Sequence, residues 1–255
     1  MVKPYFETEN GKLYHGDCLE IMKDIPDKSI DMILCDLPYG VTACRWDTPI
    51  PLKPLWGQYE RVIKDNGAII LTGTQPFAST LIMSNYTLFR YELIWDKELI
   101  TDHLNAYKMP LKVHENILVF YKSLPTYNPQ KVLGEKNHKT GGSEKKSNVY
   151  GAERLGDNSD ILGNWKFPKS ILKVKKIHPA LVINATQKPI ELFRYLILTY
   201  TNTGETVLDN CIGSGTTAVA SEQVKRKWIG MEKDTLECQK AAKRIRAETR
   251  QLTIT

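Results

Sequence analysis

A chain of 255 residues with 42% hydrophobic and 25% charged side chains has the composition of a soluble globular protein, with enough material for one α/β domain or one domain carrying an inserted module. No apolar run approaches the roughly 18 residues of a membrane span, and the opening Met-Val-Lys-Pro-Tyr-Phe-Glu lacks the apolar core of a secretory leader, so a cytoplasmic protein with no membrane partner is expected. The net charge of +6 is unevenly placed: residues 122–176 hold 12 Lys and Arg against five acids, which is +7 in one stretch and −1 elsewhere.

Residues 12–15 read as a strand ending at Gly16-Asp17, and residues 18–25 as a helix closed by Pro26. An apolar strand over residues 30–35 runs into Asp36-Leu37-Pro38-Tyr39-Gly40. A helix over residues 55–64 stops at Asp65-Asn66-Gly67. A strand over 68–71, a helix over 77–83 and strands over 91–95 and 117–121 follow. This alternation of strands and helices predicts a mostly parallel sheet with helices on both faces.

Between about residues 123 and 183 the rhythm stops, with Gly141-Gly142-Ser143 and frequent Lys and Asn. So long a structureless loop is rare inside a compact domain, and an inserted module is the better expectation. Its basic excess suits a polyanion, although a solvated lysine-rich surface has the same composition. Beyond it, a strand over 206–209, a glycine turn over 210–215, a helix over 216–225, a strand over 228–232 and an amphipathic helix over 235–248 complete the chain. The five cysteines (Cys18, Cys35, Cys44, Cys211 and Cys238) are scattered, odd in number and without a C-x-x-C pair. That disfavours both a disulfide framework and a zinc site, and no metal is expected.

The turn Asp209-Asn-Cys-Ile-Gly-Ser-Gly-Thr-Thr217 follows a strand, opens a helix and is answered by Glu232 at the end of the next strand. Such an acid pairs with ribose hydroxyls in nucleoside cofactor sites. A phosphate cradle would need a third glycine or a following lysine, and this turn has neither. Asp209 would repel a pyrophosphate but suits the cationic amino and sulfonium groups of S-adenosylmethionine. A nicotinamide cofactor is therefore disfavoured, while a turn with no ligand stays open.

Asp36-Leu37-Pro38-Tyr39 can be a plain strand end and proline turn. It also has what activation of a nucleobase amino group requires. The lone pair of such an amine is delocalised into the ring. A carboxylate and a backbone carbonyl, each accepting one N–H, return it to the nitrogen. Pro38 stiffens the loop around the Leu37 carbonyl, and Tyr39 offers a face for an extruded base.

With these residues in order, the chain resembles the amino-group DNA methyltransferases of the permuted β arrangement, whose common motif is Asp-Pro-Pro-Tyr. Leu37 departs from that motif, but only its backbone carbonyl is needed. The resemblance implies a Rossmann-like S-adenosylmethionine-dependent methyltransferase fold with a seven-stranded sheet. Residues 1–122 and 184–255 would form the catalytic domain and residues 123–183 the target-recognition region. It also implies Asp36, Leu37, Pro38 and Tyr39 as catalytic. Asp17 and Cys18 would sit at the cofactor adenine, and Gln187, Lys188 and Pro189 at the methionine end, where Lys188 and a helix N-terminus suit a carboxylate. Asp209, Cys211, Gly213, Gly215, Thr216, Thr217, Glu232 and Lys233 would surround the rest. The segment from His114 to Lys122, which includes Glu115, is a further likeness.

The implied reaction is methylation of adenine N6 in double-stranded DNA by base flipping and direct SN2 transfer, with a homodimer and a cognate restriction enzyme as further partners that the resemblance allows. Lys173, Lys175 and Lys176 are expected on DNA phosphates. In the module, Tyr127, Tyr150 and Trp165 are interleaved with basic residues, as in a nucleic-acid surface or a small core. Two alternatives share the scaffold: cytosine-N4 methylation, usually associated with Ser at the position of Asp36, and a DNA-binding protein without turnover.

Overall fold

The computed structural model describes residues 2–40, 47–101, 103–135, 164–178, 182 and 187–252. The chain forms two compact units, residues 1–128 with 170–255, and residues 129–169.

In the larger unit the sheet is built on strands that are apolar on both faces. Strand β3 (Ile30–Cys35) buries Met32 and Leu34 on one side and Ile33 and Cys35 on the other, the two-residue alternation of a strand covered twice. With β1 (Phe6–Glu7), β2 (Gly11–His15), β4 (Ile63–Gly73), β5 (Phe89–Thr101), β6 (Lys112–Phe120), β9 (Ile171–Lys173), β10 (Thr206–Asp209) and β11 (Lys227–Glu232) it forms a nine-stranded sheet in the order β1-β2-β11-β10-β3-β4-β6-β5-β9. The five strands from β2 to β4 are parallel, and β6 runs antiparallel between β4 and β5. Between the short edges β1 and β9 lie the seven expected strands.

Helices α1 (Cys18–Ile21), α2 (Leu52–Val62) and α3 (Phe77–Ser84) cover one face through Ile21, Leu55, Tyr59 and Leu81. Helices α4 (Ile190–Tyr200), α5 (Thr216–Gln223) and α6 (Thr235–Leu252) cover the other through Phe193, Leu196, Val219 and Ile245. The chain therefore leaves β3 and its neighbour β10 towards opposite faces. That switch opens a crevice at the carboxyl ends of the strands, where Asp36, Asp209 and Glu232 stand.

The module boundary differs from the expected 123–183. Residues 170–178 belong to the larger unit, where β9 pairs with β5 in parallel. Leu172 is buried, Val174 packs beside it, and Trp95 Nε1 donates to the Val174 carbonyl at 2.7 Å. The flanking lysines hid this short alternating strand. In the smaller unit, β7 (Val132–Leu133) pairs antiparallel with β8 (Trp165–Lys166), and the Lys131 ammonium lies 4.8 Å from the Phe167 ring centre. Cys44, Tyr150, Lys136, Lys139, Lys145, Lys146 and Arg154 lie outside the described residues. Tyr127 belongs to the larger unit, 6.4 Å from Tyr200 between ring centres. Among the described residues no helix is long and apolar enough to cross a membrane.

Candidate active site

A cavity of about 550 Å³ occupies the crevice, within the usual range for a small-molecule site. Its wall brings together Asp36, Leu37, Pro38 and Tyr39 with Asp17, Cys18, Gln187, Lys188, Asp209, Cys211, Gly213, Thr216, Thr217, Glu232 and Lys233. Pro189 and Gly215 do not line it. Pro189 precedes the first turn of α4, and Gly215 precedes α5 with a left-handed φ of 81°. Of the three lysines expected on DNA, Lys173 and Lys175 are exposed at the sheet edge, and Lys176 lines the cavity.

Asp36 leaves the end of β3 with both carboxylate oxygens engaged. Oδ1 accepts from the hydroxyls of Tyr39, at 2.7 Å, and Thr72, and Oδ2 accepts from Lys188 Nζ at 2.5 Å. The Tyr39 ring packs on Phe77 with centres 4.9 Å apart. Leu37 is buried. Lys188, which the resemblance implies at the cofactor carboxylate, thus pairs with the loop after β3 in this structure. Burial opposes its charge, but Asp36, Tyr39 and Glu115 outweigh that and hold its pKa well above the ordinary lysine value.

Around the glycine turn the acids also serve the backbone. Asp209 Oδ1 accepts from the Cys211 N–H at 3.0 Å and Oδ2 from the Thr217 hydroxyl, so one carboxylate ties the turn to the first turn of α5. Burial pushes Asp209 up to about 7. Glu232 accepts from the N–H groups of Gly213 at 3.0 Å and Asp234 at 2.8 Å, and burial raises its pKa as well. Asp17 caps α1 through the Leu19 N–H and meets Lys233 at 3.2 Å. Gly213 has a φ of 49°, and a Cβ there would find no atom closer than 3.9 Å. A ligand can therefore lie directly on its backbone.

Three sets of contacts around the site escaped the sequence reading, although Cys18, Cys211 and Glu115 themselves did not. Glu115 and Lys97 extend the ion pair of Asp36 and Lys188 into a row of four charges. Arg244, on the amphipathic helix α6, turns inward and donates to the Ser214 carbonyl at 3.0 Å and the Thr216 hydroxyl at 3.1 Å. Cys18 and Cys211, far apart in the chain, flank the Asn210 amide, with sulfurs at 3.6 and 3.4 Å from its nitrogen. The buried Cys35 thiol, beside Cys211 and Asp209, is raised to about 12 by desolvation.

Residues 30–243 match the family model described as DNA methylase, which takes N6 and N4 methyltransferases together. The chain is similar to the type II methyltransferase M.BamHI of Bacillus amyloliquefaciens, with 28% identity over 258 residues. That alignment covers 91% of this chain and 56% of the relative, so the chain spans little more than half of that protein's length. Similarity to the DNA adenine methyltransferase YhdJ of Escherichia coli (strain K12) is 29% over 246 residues, covering 89% of this chain and 80% of the relative. The solved structure of the M1.HpyAVI–SAM complex has a TM-score of 0.61 at 23% identity, covering 92% of this chain and 99% of that one, a likeness of fold.

Proposed function

The chain belongs to the DNA methylase family of N6/N4 amino-group methyltransferases, and from that premise we propose that it methylates the exocyclic N6 of adenine in double-stranded DNA. The observation that carries the reading is the shared cavity: Asp36-Leu37-Pro38-Tyr39 opens on the same space as Gly213 and Glu232. Asp rather than Ser at position 36, and the adenine specificity in the name of the Escherichia coli relative, support adenine over cytosine.

The residues fit S-adenosylmethionine. Asp209 and Glu232 are acids buried in the cavity wall, and burial raises the pKa of both, so a cationic ligand would favour their charged forms. Asp17, Asp209 and Glu232 would receive its hydroxyls and cationic groups, and the open backbone of Gly213 its close approach. When bound, the cofactor supplies an electrophilic methyl group.

On the target side, Asp36 Oδ2 and the Leu37 carbonyl accept the two N–H bonds of an extruded base and return its lone pair to nitrogen. Tyr39, braced by Phe77, stacks on the ring. The surplus proton of the methylated amine is taken at Asp36. We assign target recognition to residues 129–169 and phosphate contacts to the neighbouring lysines. The proposed setting is cytoplasmic, and the type II name of the Bacillus relative extends the proposal to a cognate restriction enzyme.

The test is to incubate the protein with duplex DNA and methyl-labelled cofactor, digest to nucleosides and identify the product by mass spectrometry. N6-methyladenine is expected. N4-methylcytosine would overturn the choice of base, and no incorporation would overturn the enzymatic reading.

A further inference from the structure

Four buried or half-buried charges alternate in sign behind the Asp36 loop. Lys188 Nζ lies 2.5 Å from Asp36 Oδ2 and 3.3 Å from Glu115 Oε2, and Lys97 Nζ lies 3.3 Å from Glu115 Oε1. The two lysine side chains are 9% and 4% exposed, and that of Glu115 15%. Lys97 is further held by the Thr101 hydroxyl at 3.3 Å. Glu115 and Lys97 come from β6 and β5, strands in register at Trp95 and Glu115, so the row is anchored in the sheet rather than in a loop.

Asp36 Oδ2 holds the Lys188 ammonium at 2.5 Å, so a target amine that comes to this oxygen competes with that donor for it. Lys188 is the donor with a second acid in reach. Glu115 Oε2 is buried and lies 3.3 Å from Lys188 Nζ, a longer contact than the 2.5 Å between that ammonium and Asp36. This oxygen is an open seat for the ammonium.

We propose that Glu115 is a positioning residue that draws Lys188 off Asp36 as the target amine arrives, freeing Oδ2 to accept the amine N–H. The Lys188 ammonium keeps an acid partner throughout the transfer, whereas a lysine moved towards a neutral neighbour would be left uncompensated. Burial alone would raise the pKa of Glu115, but the ammonium groups of Lys188 and Lys97 more than offset this and keep it below the usual value. The seat therefore stays anionic.

The inference rests on the methyl-transfer reading of Asp36. It is tested by single-turnover methylation of duplex DNA by wild type, Glu115→Gln, Glu115→Asp and the double variant Glu115→Gln/Lys97→Met. The Gln variant is expected to lose about 10- to 100-fold in rate, with cofactor and DNA dissociation constants within about threefold, and Asp to recover part of the rate. The double variant removes the lysine that Gln would leave unpaired. A rate that stays low while thermal stability returns supports positioning, and a rate that recovers with stability overturns it. Wild-type speed in Glu115→Gln would also overturn it while leaving the function standing. An inactive wild type would sink the function and this inference together.

Discussion

Lys188 Nζ stands 2.5 Å from Asp36 Oδ2 across 152 residues of chain, joining the loop at the end of β3 to the segment that opens α4. The pair makes Asp36 part of the interior as well as of the proposed reaction. Asp36→Ala is expected to reduce methyl transfer by at least about 100-fold and to leave cofactor affinity within a few-fold. Because Lys188 keeps Glu115 as a partner, the loss of stability should stay near 1–3 kcal/mol. Methyl incorporation, calorimetry and thermal melts together check this. Near-normal turnover in the mutant would remove Asp36 from the chemistry.

The two turn glycines separate loss of ligand from loss of fold. At Gly213 a side chain would enter open cavity, whereas at Gly215 a Cβ would lie 3.1 Å from the Ile245 side chain with φ at 81°. Gly213→Val should abolish binding of S-adenosylhomocysteine while keeping native-like circular dichroism. Both substitutions meet a left-handed φ, 49° at Gly213 and 81° at Gly215, but Gly215→Val should lower the melting temperature further, because it adds overpacking of about 1–3 kcal/mol. Equal melting temperatures with equal loss of binding would show that both glycines face the ligand.

Local signals made much of this site legible. β3 and β10 are mostly apolar runs, Met32 to Cys35 and Val207-Leu208, which forecast parallel strands covered on both faces, and the acids at their ends fall in the crevice such sheets use. What stayed hidden depends on distant partners. Ile171, Leu172 and Val174 alternate in only a few residues among lysines, and nothing local announces that Trp95 will bond the Val174 carbonyl. Glu115 sits in a strand that is apolar only from Ile117 onward, and its two lysines come from other elements. Arg244 reads as one more cation on a polar helix face until the turn at Ser214 packs against it.

Asp209 gives a pH dependence with a defined sign. Its folded value of about 7 lies above the ordinary 3.8 because burial disfavours the anion. Between those values the folded apoprotein holds a proton that the unfolded chain has released. The contribution to stability is therefore fully present below about pH 4 and lost as pH rises through about 7. A cationic cofactor favours the anion, so binding should release a proton and tighten from pH 6 to pH 8. Calorimetry in buffers of different ionisation enthalpy measures that proton, and Asp209→Asn should abolish it. Binding without proton release would mean that Asp209 does not meet the cationic end of the cofactor.

The lysines of β9 and the segment after it can be divided by position. Lys173 and Lys175 are exposed along the sheet edge, while Lys176 is half-buried in the cavity wall with its N–H on the Lys97 carbonyl at 3.1 Å. Each lysine that neutralises a phosphate releases condensed counterions and adds about 0.9 to the magnitude of the slope of log affinity against log salt. Replacing Lys173 and Lys175 together by Gln should flatten that slope by up to about 2 and weaken binding to all duplexes alike. The methylated sequence should not change, because phosphate contacts position the protein and base contacts specify the site. Lys176→Gln should behave differently. Its charge opposes that of Lys97, so its removal favours the ammonium that holds Glu115, and both the single-turnover rate and the salt slope should stay close to wild type. Fluorescence titrations of labelled duplex over a range of salt, paired with single-turnover assays, distinguish the two. A full slope in the Lys173/Lys175 variant would take this edge off the DNA, and the phosphate contacts would then have to come from other basic residues.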